Sequence, residues 1–159
     1  MKEKLQEYAL LAEIISAVGI IISLVFVGFQ IRDNTVASQA ATYQASVGYD
    51  IELLMHLSAD PDLSRIIDIY TYGDDASSLS ANDIVRAQYE FTALLRHLEN
   101  LYLQHELGML SDESWTTRQA FMEATLTSPG YARFQSAPTA RNFSGAFLDY
   151  ANTLRARAG

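Results

Sequence analysis

The chain predicts an all-α fold: an N-terminal transmembrane helix continuing into a stalk, followed by a small helical bundle. Three observations predict it. Ile14 to Ile31 is a run of eighteen residues without a charge. The remaining chain repeats apolar residues at spacings of three and four between helix-capping signals. Alternating β-branched runs, the mark of strands, are missing, so helices packed on helices are the expected architecture.

The apolar run comes first. As a helix rising about 1.5 Å per residue it covers roughly 27 Å, close to the hydrocarbon thickness of a bilayer. Twelve of its eighteen residues are Ile, Leu, Val or Phe, and on an insertion scale they supply about −5 kcal/mol, enough to outweigh Ser16, Ser23 and the terminal Gln30. Two alternatives compete with the span. A cleaved signal peptide would use Ser38-Gln39-Ala40 as its small-residue site, but the run is longer than an ordinary signal core and Arg32-Asp33 interrupts the approach. A buried soluble helix would need protein on every side, which the remaining chain is short to provide.

Along the same helix, Ala12, Ser16, Gly19 and Ser23 recur at spacings of four, three and four and so share one helix face. Small faces let helix backbones approach closely in lipid, and serines can hydrogen-bond across the contact. These four are the candidate helix–helix interface, with another membrane subunit or a second copy as partner. Common use of Gly and Ser in spans is the plain alternative.

Residues 1–34 are therefore read as the anchor with an amphipathic lead-in, 35–57 as the stalk and 58–159 as the bundle. No glycine or proline follows Gly28 until Gly48, so the helix is expected to leave the membrane and continue towards Leu57, entering the core from Ile51. Asp60-Pro61 restarts it, Asp60 as cap and Pro61 at the first position, where no amide donor is needed. That helix buries Leu63, Ile66, Ile67 and Tyr70 and ends at Gly73. Ser80 and Asp83 make a capping box for the longest soluble helix, Ala81 to Glu106, with Ile84, Ala87, Phe91, Leu94, Leu98 and Leu101 as its stripe. Gly108 closes it. Ser111 or Asp112 caps a helix bearing Trp115, Phe121, Met122 and Leu126; Ser128-Pro129-Gly130 breaks the chain. After Pro138 a last helix runs from Ala140 to Arg155.

Charge excludes some functions. After Arg32 there are sixteen Asp or Glu against eight Arg and no Lys, so this part carries the whole formal charge of −8. Nucleic acid needs a basic face and is excluded as a partner. The chain has no cysteine, so thiolate metal sites and cysteine nucleophiles are excluded too. Lys2 and Lys4 before the run against Arg32 after it leave the side of the bundle undecided.

Ser23-Leu24-Val25-Phe26 running into Gln30-Ile31-Arg32-Asp33-Asn34-Thr35, then Leu107 to Glu113 with Trp115, Ser128-Pro129-Gly130, and Phe143-Ser144 with Phe147 form a recognisable series. In these pieces the chain resembles a widespread family of uncharacterised bacterial proteins with a single N-terminal transmembrane helix and a C-terminal all-helical domain. The chain departs from that group in Ala132-Arg133-Phe134, where tryptophans are common, and in lacking basic residues after Asn34-Thr35. The resemblance implies the bacterial inner membrane and transfers no functional residue.

No catalytic, cofactor-binding or metal-ligating set is assigned. His56 shares a helix face with Glu52, but the Glu-x-x-His pairs of a carboxylate-bridged metal centre do not occur. His97 and His105 read as partly buried polar residues, and Arg96 with Glu99 as a surface ion pair. Nucleophile elbows and phosphate-binding glycine loops do not occur either. Eight tyrosines from Tyr43 to Tyr150 suit core edges or a partner surface. The expected function is a non-catalytic accessory subunit of a membrane complex. The alternatives are a tethered sensor or small-ligand binder and, less favoured, a membrane-attached enzyme.

Overall fold

The structure is a computed structural model that describes residues 2–137, 140 and 142–158. It is all-α, with six helices and no strand among the described residues. α1 spans Lys2–Ala59, α2 Pro61–Tyr72, α3 Ala81–Glu106, α4 Asp112–Leu126, α5 Pro129–Gln135 and α6 Gly145–Ala158. Two compact units divide the chain, Met1–Ala40 and Ala41–Gly159. The unbroken α1 is the long helix that the lack of glycine and proline after the apolar run predicts.

In the first unit, α1 is long and apolar enough to cross a membrane. Its large apolar side chains are uncovered, from Val27 at 46% to Ile15 at 70% exposure.

In the second unit, capping sets the helix boundaries. Asp60 Oδ1 accepts from the amides of Asp62 and Leu63, and Pro61 opens α2. Ser80 and Asp83 form the reciprocal capping box of α3. Gly108 takes the left-handed conformation, φ 69°, which only glycine adopts at no steric cost. Ser111 and Ser128 cap α4 and α5 through the amides of Ser114 and Tyr131.

The core joins Ile66 and Tyr70 of α2, Phe91, Leu95 and Leu98 of α3, Met122 and Leu126 of α4, Tyr131 and Phe134 of α5, and Phe147 of α6. Gly130 lets α5 rest on α2, since a Cβ there would lie 2.7 Å from Thr71 Cα. Arg133 donates to the carbonyls of Tyr70, Gly73 and Asp74, satisfying the end of α2 from a neighbouring helix.

Two expectations need correction. Leu53 packs against the core and Leu57 is half-buried, but Ile51, Leu54 and Met55 are exposed, because only one face of α1 meets the bundle. The last α-helix starts at Gly145, not Ala140: Glu99 accepts from the Ser144 amide and Arg96 donates to the Asn142 carbonyl, and Phe143 and Ser144 stay outside the helix. Pro138 lies outside the described residues. Phe121, on α4, is 48% exposed.

Candidate functional site

The four small residues of the candidate interface lie along one helix and are exposed. Ser16 Oγ donates to the Ala12 carbonyl at 2.8 Å, and Ser23 Oγ to the Gly19 carbonyl at 2.8 Å. Both hydroxyls are thus satisfied within their own helix, as serines in lipid can be without a partner. A Cβ at Gly19 would meet nothing. The face is flat and open.

The densest polar arrangement lies elsewhere, where residues 41–59 of α1 meet α3 and α4. Ser46 and Asp50, one turn apart, project to the same side as Leu53. Asp50 receives two neighbours: His97 Nε2 lies 2.9 Å from its Oδ1, and Arg118 Nη1 donates to its Oδ2 at 3.1 Å. Arg118 Nη2 donates to Ser46 Oγ at 2.9 Å, and Ser46 in turn donates to the Tyr43 carbonyl. The His97 ring stacks on Tyr49 with centroids 4.2 Å apart, and the Arg118 guanidinium sits over the Tyr43 ring.

Burial sets the electrostatics of this cluster. The His97 side chain is 6% exposed, Arg118 15% and Asp50 39%. Desolvation lowers the His97 pKa below its ordinary value; Asp50 opposes that and Arg118 reinforces it. The neutral imidazole is therefore favoured beside an Asp50–Arg118 ion pair. Burial likewise raises the Tyr49 pKa, with Glu90, Glu52 and Asp50 adding to it, so the phenol stays protonated.

Beside the cluster is a groove of about 300 Å³ lined by Leu53, Leu54, Leu98, Leu101 and Phe121, with Asp50, His97 and Arg118 in its wall. A second depression, of about 320 Å³, shares Thr117 and Arg118 with it and reaches Tyr43 and Glu113. The arrangement offers apolar contact and one neutralised polar cluster. Its ionisable groups, Asp50, His97 and Arg118, are bonded to one another.

The other expected polar residues fall into different places. His56 Nε2 lies 3.2 Å from Glu90 Oε1 at an exposed position. His105 stacks on Trp115, centroids 4.3 Å apart. Glu99 is no surface residue: it is buried and accepts from the Ser144 amide at 2.6 Å and from Arg96 at 2.7 Å. Burial alone would raise its pKa, but these bonds outweigh that and hold it below the ordinary carboxylate value. No group of three or more His, Asp or Glu able to hold a metal ion occurs among the described residues. The tyrosines divide, with Tyr70 and Tyr131 buried and Tyr43, Tyr72 and Tyr89 exposed.

Sequence reasoning missed Ser46, Asp50 and Arg118. The available signal was Ser46, Asp50, Leu53 and Leu57 at spacings of four, three and four inside the stretch read as stalk. Compared with protein-family models, with curated proteins and with solved structures, the chain has no match in any of the three.

Proposed function

We propose that this is a single-pass membrane protein of the bacterial inner membrane, serving as a non-catalytic accessory subunit of a membrane assembly. One observation carries the reading: Ile14 to Ile31 has no charge, and its large apolar side chains are uncovered. Exposing twelve such side chains to water forfeits about 1.5–3 kcal/mol each relative to burial. Hydrocarbon is the surrounding that removes this cost. The small face of Ala12, Ser16, Gly19 and Ser23 then provides a surface for another helix in lipid.

Purification from native membranes in a mild detergent tests the proposal. Stoichiometric partner proteins are expected, and Gly19→Ile with Ser23→Ile should weaken their retention. A lone monomer would overturn the accessory role, and a chain monodisperse in water without detergent would overturn the anchor. A second reading, a tethered small-ligand binder, draws on the groove between α1 and α4. With Leu54 65% exposed and Phe121 48% exposed on its lips, the groove is open, whereas small-ligand sites bury most of the ligand. A protein surface fits it better.

A further inference from the structure

The groove between residues 41–59 of α1 and α4 is apolar on both lips, Leu54 and Phe121, and on its floor, Leu98 and Leu101. Ile51 and Met55, 52% and 67% exposed, extend the apolar surface on α1. Through Thr117 and Arg118 the groove continues towards Tyr43. From Tyr43 to Leu54 an α-helix rises about 16 Å. Helices that lie in grooves use apolar anchors at i, i+4 and i+7, which span about 10 Å. Three anchors therefore fit along it.

Charge identifies the occupant. The arginine that lines the groove, Arg118, is engaged within the bundle by its pair with Asp50. Glu113, in the second depression that shares Thr117 and Arg118 with the groove, and Glu52, beside Met55 in the adjoining hollow, form no ion pair among the described residues. After Arg32, sixteen carboxylates face eight arginines. A second copy would bring the same negative excess, which opposes self-docking. A basic segment meets the opposite field.

We propose that this groove docks one amphipathic helix of a partner protein, with three apolar anchors on one face and Lys or Arg flanking them. The inference rests on the accessory-subunit reading and names the partner's chemistry. Arg118, held at the centre by Asp50 and Ser46, supplies a rigid polar contact of the kind enriched at interface hot spots.

The test uses the full chain in nanodiscs of zwitterionic lipid, with empty nanodiscs as blank, and two helical peptides with Leu at i, i+4 and i+7. One carries Lys at its flanking positions and the other Glu. The Lys peptide is expected to bind at least tenfold tighter than the Glu peptide. Leu54→Glu and Phe121→Glu should each weaken it at least tenfold, whereas Tyr89→Glu, at a position 71% exposed on α3, should leave it unchanged. Glu52→Lys with Glu113→Lys changes charge alone and should also weaken it tenfold at low salt. Equal binding of the two peptides, or affinity unmoved by the groove variants, would overturn the proposal. So would a dimer of the chain alone that Leu54→Glu dissolves, which would make a second copy the occupant. Native partners retained by Leu54→Glu would leave the accessory role standing and remove the groove. Peptide binding by a chain that purifies alone would do the reverse.

Discussion

Replacing Asp50 by Asn removes the charge that holds α1 against α3 and α4. Asp50 is the shared acceptor of His97 and Arg118, and Arg118 at 15% exposure cannot turn freely to water. Breaking a fully buried pair by deleting one partner costs about 3–5 kcal/mol. Asp50 is 39% exposed, so solvent screens part of this, and the carboxamide keeps one hydrogen bond. An expected loss of about 2 kcal/mol remains, within the range for hydrogen bonds to charged groups. For a unit of about 120 residues, with unfolding entropy near 2.1 cal/mol/K per residue, that lowers the midpoint by about 8 °C. The single tryptophan, Trp115 on α4, reports the transition by fluorescence with the chain in nanodiscs. Arg118→Met removes the partner charge, so the double variant should be more stable than the sum of the two losses. A loss below about 0.5 kcal/mol for Asp50→Asn, or strict additivity in the cycle, would show that the ion pair does not secure α1, whatever its geometry.

Three further outcomes are expected. His97 has a folded pKa below its ordinary 6.5, so its contribution is complete above that value and is lost as pH falls through the folded pKa. Wild type should therefore lose more stability than His97→Gln between pH 7.5 and pH 5, and equal slopes would contradict the assignment. Gly130→Ala places a Cβ 2.7 Å from Thr71 Cα, a backbone atom; overpacking of this kind costs about 1–3 kcal/mol, read as a lower urea midpoint with unchanged slope. Glu99→Gln loses the charge in the bonds from Ser144 and Arg96 and should cost about 1–3 kcal/mol. Hydrogen exchange should then rise first at the amides of Phe143 and Ser144, and uniform acceleration through α6 would argue against a local clamp.

The sequence by itself determined most of the helices and their ends, though not the start of the last helix. Asp60-Pro61, Ser80 with Asp83, Gly108 and Ser128-Pro129 act through their own backbone within a turn or two, so local chemistry placed these boundaries. The uncharged run from Ile14 to Ile31 and the stripe from Ala87 to Leu101 were equally legible, because periodicity and transfer energy need no knowledge of neighbours. The candidate groove was not. Ser46, Asp50, His97 and Arg118 come from three helices with 47 to 72 residues between bonded partners, and their separate spacings carry no pairing information. The same holds for Glu99, which reads as half of a surface pair until the Ser144 amide is brought to it from 45 residues away. Helix faces are decided locally, whereas which carboxylate is buried beside which cation is decided by packing.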